Sequence, residues 1–220
     1  MGVTLIVMTD GRLDYLGRSL TTASRLHGPI TRRVLHDDTG DDEYRDELRD
    51  VMYPDWEVIG TPQRAGFGGA YRSMWSWVRT YDSNPFVFTT EDDFRFARDV
   101  DLAAMAGVLA AHPHLTQLAL RRQPWNDVER AAGGIVESNP DAYTDRGTHL
   151  EHRLFHTTNP SLMRRDLFTD YDWPTGLHSE GRFGRALFDS DPHIHAGFWG
   201  SRHSGEWVEH IGAERRGNGY

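Results

Sequence analysis

Residues 86–93 read Phe86-Val87-Phe88-Thr89-Thr90-Glu91-Asp92-Asp93, an apolar segment that ends in three consecutive carboxylates. Its aromatic and β-branched composition is typical of a buried strand. Adjacent carboxylates repel one another, so keeping three together is costly unless a cation or solvent takes up the charge. The stretch predicts a divalent cation, Mg²⁺ or Mn²⁺, at the strand's carboxyl end, with Asp93 as the surest ligand. The alternative is an ordinary solvated helix N-terminus, where the helix macrodipole favours acidic residues.

The same alternation of strand and helix extends in both directions from this segment. In chain order, the apolar patterns predict strands at 3–8, 33–36, 56–59, 86–90 and 115–120, and helices at 13–23, 41–52, 66–77 and 100–111. Residues 121–146 are irregular and are predicted to form a mobile loop region. Alternating strands and helices predict an α/β fold whose mostly parallel sheet binds ligands beyond the carboxyl ends of its strands.

Composition limits the chemistry that the chain can perform. Its 220 residues predict one domain, and the absence of cysteine excludes thiolate metal sites and cysteine nucleophiles. All 24 basic residues are arginine, which excludes Schiff-base lysines and a P-loop lysine. The net charge of -9 disfavours a general polyanion binder. The apolar N-terminus reads as a strand rather than a signal peptide, and no apolar run reaches the roughly 20 residues of a membrane span, so a cytoplasmic protein is expected.

Four motifs in the first 95 residues resemble the nucleotide-sugar half of GT-A glycosyltransferases, in particular the inverting family two. In order they are Met8-Thr9-Asp10, His36-Asp37-Asp38-Thr39-Gly40, Ala65-Gly66-Phe67-Gly68-Gly69-Ala70 and Thr90-Glu91-Asp92-Asp93. The resemblance implies a single GT-A-like (Rossmann-like) domain over 1–220, with helices flanking a mostly parallel sheet. Residues 1–95 would bind a UDP- or GDP-sugar, and residues 96–220 would bind an acceptor.

The resemblance also assigns roles within the nucleotide-sugar half. Thr9 and Asp38 would contact the base of the nucleotide. Residues 37–40 are equally consistent with a turn that an Asp side chain caps. Gly66 would let the backbone approach the nucleotide closely, and Glu91 or Asp92 would reach the metal or the ribose. An arginine would share the diphosphate charge, with Arg72, Arg64 and Arg12 as candidates, although surface arginines are common.

The C-terminal half resembles the family more loosely. Segment 156–168 is similar to a strand followed by a helix, and Ser179-Glu180-Gly181 to the acidic motif before a late helix. Glu180 would be the catalytic base that deprotonates the acceptor hydroxyl, giving inversion. The family usually has a second carboxylate where Gly181 stands, so Asp170, Asp172 and a plain capping role for Glu180 stay open.

Histidines supply the remaining candidates. Trp207-Val208-Glu209-His210-Ile211-Gly212 is similar to a late strand whose histidine completes a carboxylate metal site, so His210 is expected to bind the same ion as Asp93. The alternative is a packing histidine. His193-Ile194-His195 has strand spacing that would put both rings on one face, making it the rival metal or acceptor site. Residues 213–220, with Arg215 and Arg216, would form a flap over the diphosphate.

The expected function is metal-dependent, inverting transfer of a sugar from a nucleotide donor to an unidentified hydroxyl acceptor, as in hexosyltransferases. The acceptor class stays open among glycans, proteins, small molecules and nucleic-acid bases. A sugar nucleotidyltransferase shares the architecture but commonly relies on lysines, which this chain lacks. A carbohydrate- or nucleotide-binding module that has lost the chemistry is the non-enzymatic alternative.

Overall fold

A nine-stranded sheet forms the centre of the fold in the computed structural model, which describes residues 1–214. The strands of the whole structure are β1 (Val3–Thr9), β2 (Leu26–His27), β3 (Ile30–Asp37), β4 (Glu57–Gly60), β5 (Phe86–Glu91), β6 (Phe94–Phe96), β7 (Val100–Asp101), β8 (Leu115–Ala119), β9 (Thr144–Asp145), β10 (His149–His152), β11 (Ser161–Arg164), β12 (His195–Trp199) and β13 (Val208–His210). The helices are α1 (Leu13–Ala23), α2 (Asp42–Glu47), α3 (Gly66–Tyr81), α4 (Leu102–Ala111), α5 (Asp127–Ala132), α6 (Arg165–Asp170) and α7 (Ser179–Ser190).

The strand order of the central sheet is β4-β3-β1-β5-β11-β8-β12-β10-β9. The first four strands are parallel, while β11 runs antiparallel to both β5 and β8. β12 is parallel to β8, and β10 is antiparallel to both β12 and β9. Seven of the nine strands therefore run in one direction, which confirms the α/β fold with a mostly parallel sheet. The sheet draws strands from both 1–95 and 96–220.

The two faces of the sheet bury separate apolar cores because successive strand side chains point to opposite faces. On β1, Leu5 and Val7 join the core that contains residues of α1 and α4. Ile6 and Met8 join the other core, against α3, α6 and α7. Trp75 of α3 lies at the centre of that second core, 1% exposed. Helices thus cover both faces, as the alternating pattern predicts.

The predicted elements were confirmed with small shifts at their ends and one clear correction. The helix predicted at 41–52 consists of α2 followed by a π-helical turn, Leu48–Met52. The helix predicted from 100 begins at Leu102, because Asp101 caps it by accepting from the Ala104 N–H at 3.0 Å. The prediction of an irregular 121–146 region missed α5, which Asn126 caps through the Glu129 N–H. No helix in the described part of the chain combines the length and apolarity needed to cross a bilayer.

Candidate active site

A cavity of about 480 Å³ lies beyond the carboxyl ends of β1 and β3, where parallel sheets bind ligands. Its volume falls within the range of small-molecule sites, roughly 300–1,000 Å³. The predicted residues that line it come from three strand ends and from the glycine-rich start of α3: Thr9, Arg12, Asp38, Arg64, Gly66, Glu91 and Asp92. The fold therefore brings together residues that lie more than 80 positions apart in the chain.

Asp38 ties the end of β3 to the start of α3. Its buried Oδ1 accepts from the Thr61 hydroxyl at 2.7 Å and from the Ala65 N–H at 3.0 Å. Gly66 then begins α3 with a φ of 68°, a left-handed conformation that glycine adopts without strain. Asp38 is thus part of the cavity wall and also a support for the glycine-rich turn.

Asp92 is the most deeply buried carboxylate of the acidic motif, with 0% exposure. It accepts from the Thr9 hydroxyl at 2.9 Å and forms an ion pair with the Arg12 guanidinium. Burial raises the pKa of Asp92 to about 7, and Arg12 offsets only part of this effect. Thr9 therefore contacts the acidic motif directly.

Asp93 and His210 face each other although 116 residues separate them. β13 pairs with β6 so that His210 lies opposite Phe94, and the Ile211 N–H donates to the Asp93 carbonyl at 2.8 Å. His210 Nε2 is 3.5 Å from Asp93 Oδ1, longer than a good hydrogen bond. Gly212 permits this approach, because a Cβ there would lie 2.3 Å from Asp93 Oδ2.

These residues fit a divalent cation of the kind that the acidic motif predicts. Asp93 Oδ1 is buried without a hydrogen-bond partner among the described residues, and His210 Nε2 is the ring nitrogen that faces it. Burial by itself would raise the pKa of Asp93, but His210 and Arg12 outweigh it and lower that pKa, so the carboxylate is ionised. Arg12 Nη1 donates to Asp93 Oδ2 at 3.2 Å, which leaves Oδ1 as the ligand atom. Carboxylate oxygens are the ligands that Mn²⁺ and Mg²⁺ prefer, and one neutral imidazole nitrogen can complete such a carboxylate site.

Glu91 lies beside this pair at the junction of two cavities. The Tyr71 hydroxyl donates to its Oε1 at 3.2 Å. Burial, followed by the charges of Asp93, Glu180 and Asp92, raises the pKa of Glu91 well above its usual value. A carboxylate in such surroundings favours either a proton or a nearby cation.

A second cavity of about 380 Å³ adjoins the first at Phe67, Glu91 and His178. Glu180 and His210 both line it. Glu180 does not cap its own helix: its Oε1 accepts from the Thr158 N–H at 2.7 Å and from the Thr158 hydroxyl at 3.2 Å. The two alternative bases, Asp170 and Asp172, line neither cavity.

Several site residues were not predicted. His178 is the one non-glycine residue of positive φ in the described chain, at φ 56° and ψ 31°, and it lines both cavities. Such backbone strain is concentrated at functional sites. Trp125 and Arg122 form part of the second cavity, with the guanidinium 5.7 Å from the indole centre. The run Thr175-Gly176-Leu177-His178 has a turn composition that signals a loop, but nothing in it predicts a left-handed histidine.

The structure separates two sets of candidates from the site and does not describe a third. Arg72 is exposed on α3 and lines neither cavity, because it lies on the solvent side of a helix whose other face is buried. Arg12 and Arg64 line the first cavity instead. The prediction that His193 and His195 share a strand face was wrong: His193 is in an exposed turn, and β12 begins at His195. Arg215 and Arg216 of the predicted flap lie outside the described residues.

Comparisons with known proteins agree with this fold. The chain resembles S. aureus TarS 1-349 in complex with UDP-GlcNAc, at 17% identity and a TM-score of 0.66 over 99% of this chain and 60% of that one. It also resembles the mannosyltransferase PcManGT from Pyrobaculum calidifontis in complex with GDP-Man and Mn²⁺, at 16% identity and a TM-score of 0.61 over 93% and 58%. The chain thus spans about three fifths of the length of these proteins, and their likeness establishes the GT-A fold.

Among curated proteins, no sequence matches the chain. The sequence model of the family described as "Glycosyl transferase family 2" matches residues 4–172, which contain both the glycine-rich turn and the acidic motif. Because that match covers more than half of the chain, the protein belongs to glycosyl transferase family 2.

Proposed function

We propose that the chain transfers a sugar from a nucleotide donor to an acceptor hydroxyl, with a divalent cation held at Asp93 and His210. The observation that carries this proposal is the pair of adjoining cavities. The first has the glycine-rich turn, the strand-end carboxylates and the arginines that a nucleoside diphosphate needs. The second contains Glu180, a carboxylate that accepts from Thr158 and lies beside the same acidic motif.

The donor is a UDP- or GDP-sugar in the first cavity. TarS has been solved with UDP-GlcNAc and with UDP, and PcManGT with GDP-Man, which supports a nucleotide-sugar donor of either base. The start of α3 offers backbone N–H groups to the diphosphate. Arg64, 57% exposed at the cavity, is better placed than Arg72 to share its charge.

Asp93 Oδ1 and His210 Nε2 would hold Mn²⁺ or Mg²⁺, and Glu91, whose oxygens are not within 4.8 Å of both these atoms, would have to move towards the ion to become a third ligand. The complex of PcManGT with Mn²⁺ supports a metal in this fold. A bound divalent cation would stabilise the negative charge that accumulates on the leaving nucleoside diphosphate. Arg12 already neutralises Asp92 and part of Asp93.

Glu180 acts as the general base. The acceptor oxygen forms a bond to the anomeric carbon while the bond from that carbon to the diphosphate oxygen breaks. The acceptor proton passes to Glu180, and the electron pair leaves with the nucleoside diphosphate. Attack from the second cavity on a donor bound in the first inverts the anomeric centre.

Incubation of the chain with UDP- and GDP-sugars, with Mn²⁺ or with chelator, tests the function directly. We expect release of nucleoside diphosphate in the presence of Mn²⁺ with one donor class, even with water as acceptor. Donor binding without release under any condition would instead support a non-catalytic binding module. Release of pyrophosphate from a nucleoside triphosphate and a sugar phosphate would indicate a nucleotidyltransferase.

Asp93→Asn tests the cation. In the parent chain, we expect calorimetry to show nucleoside diphosphate binding that Mn²⁺ strengthens, and we expect Asp93→Asn to remove that dependence because it removes the ionised ligand. Asp99→Asn is the matched control, since Asp99 is 71% exposed and lies outside both cavities. Equal affinity of the parent with Mn²⁺ and with chelator would refute the metal.

A further inference from the structure

Four histidine rings surround the buried carboxylate of Glu151, at the end of the sheet away from both cavities. They come from three segments: His112 and His114 before β8, His149 on β10 and His195 at the start of β12. From this end, β8 runs five residues, roughly 16 Å, towards Arg122 at the second cavity. The histidines therefore belong to neither cavity.

The contacts of Glu151 divide between its two oxygens. Oε1 is 3.3 Å from His114 Nε2 and 3.2 Å from His149 Nε2. Oε2 accepts from Arg146 at 3.0 Å, which fixes the orientation of the carboxylate. Hydrogen bonds to both oxygens favour the ionised form of the carboxylate, which is the form that binds a metal ion.

The described part of the chain contains one set of three histidine or carboxylate residues whose ligand atoms all lie within 4.8 Å of one another. These residues are His112, His114 and Glu151. Zinc bonds of about 2.0–2.1 Å in a tetrahedron put two ligand atoms roughly 3.3 Å apart. The 3.3 Å between His114 Nε2 and Glu151 Oε1 already has this spacing. Two histidines and one glutamate form a known class of zinc ligand set, with a fourth position for water.

The surroundings hold these ligands in place. The Leu115 N–H donates to the His112 carbonyl at 2.9 Å, and the His195 N–H donates to the His114 carbonyl at 2.9 Å. His149, 1% exposed, also contacts the Thr148 hydroxyl through Nδ1 at 3.0 Å. His114 is 34% exposed, which gives an ion access from solvent. Such supporting hydrogen bonds orient metal ligands.

We propose that His112, His114 and Glu151 bind a zinc ion, with His149 as a supporting residue. Imidazole favours zinc over the harder Mg²⁺ and Mn²⁺ that suit the acidic motif. The ion would join the α4–β8 connection to β10 and so stabilise that end of the sheet. This site does not depend on the proposed function.

The test uses the full chain, stripped with chelator and then kept in excess Mg²⁺ to occupy the carboxylate site. We expect calorimetry to show one equivalent of Zn²⁺ bound, and Zn²⁺ at 100 times its Kd to raise the Tm by roughly 5–10 °C. His112→Asn and His114→Asn should each abolish both effects. His149→Gln should weaken Zn²⁺ binding roughly 10- to 100-fold.

His193→Asn is the matched control, because it removes an exposed histidine two residues from His195 and should leave Zn²⁺ binding unchanged. Asp93→Asn should likewise retain the bound zinc. Variants that match the parent's Tm in chelator are folded, so their binding can be compared directly. Absence of Zn²⁺ binding in the parent, or binding that persists in His112→Asn and His114→Asn but is lost in Asp93→Asn, would overturn the proposal.

Discussion

Replacement of Glu180 by glutamine separates its chemical role from its structural one. Glu180 Oε1 accepts two hydrogen bonds from Thr158, at 2.7 and 3.2 Å. Glutamine keeps an oxygen that can accept both bonds, but its amide cannot take up a proton at neutral pH. The substitution therefore removes the proposed base and leaves the local contacts in place.

The two roles have different expected magnitudes. Loss of a general base lowers turnover by about 10²- to 10⁴-fold. A hydrogen bond to a charged acceptor is worth about 1.5–3 kcal/mol and one to a neutral acceptor about 0.5–1.5 kcal/mol, so Glu180→Gln should cost about 1 kcal/mol for each of the two bonds, or about 2 kcal/mol of stability. For a chain of this size, that lowers the Tm by roughly 4–8 °C. Donor affinity should change less than about twofold, because Glu180 lines the second cavity and not the first.

The assay measures release of nucleoside diphosphate under saturating donor, alongside donor affinity by calorimetry and Tm by thermal unfolding. Asp172→Asn is the control: this carboxylate is 83% exposed and pairs with Arg79 at 2.8 Å, away from both cavities. Its turnover should match the parent's. If Glu180→Gln retained full turnover, Glu180 would not be the base. If it lost donor binding instead, its role would be to position the Thr158 segment.

Three further predictions follow from other contacts. His210→Ala should weaken Mn²⁺ binding at least 10- to 100-fold, the range of supporting-residue changes, whereas unaltered affinity by calorimetry would leave His210 a packing residue. Burial lowers the pKa of several histidines below the unfolded value of 6.5, most strongly His36 and His152, to about 4, and His156, to about 3. The unfolded chain therefore binds more protons, and the stability that the neutral rings confer, complete above about pH 6.5, is lost as the pH falls. Urea unfolding between pH 6.5 and 5 should show this loss, and His156→Phe should reduce its slope by about 1.4 kcal/mol per pH unit; an unchanged slope would refute a neutral buried ring. Gly68→Ala would place a Cβ 3.0 Å from the Gly176 carbonyl oxygen and should lower nucleotide affinity about tenfold. Gly107→Ala is the control: a Cβ there has no neighbour within 4 Å, so affinity should stay unchanged and stability should rise by about 0.5–1 kcal/mol. Equal nucleotide affinities of the two variants would show that the Gly176 loop does not shape the site.

The local pattern of the sequence determined most of the fold's first half. β1, α1, α3 and β5 lie within a few residues of their predicted bounds, because the apolar period of a strand or helix is set by residues close together in the chain. The position of the acidic motif followed for the same reason, because the apolar strand pattern stops at Thr90, although β5 itself continues to Glu91. The position of these motifs at one edge of the sheet followed from the parallel order alone.

Only the tertiary structure decided which side chains meet. Arg12 rather than Arg72 lines the first cavity, because the exposed face of a helix depends on how it packs against the sheet. His195 meets His114 rather than sharing a strand face with His193, because β12 begins at His195 and pairs with β8. The left-handed backbone of His178 has no local signal. Contacts of this kind join segments far apart in the chain, so they depend on sheet order and register, which local periodicity does not encode.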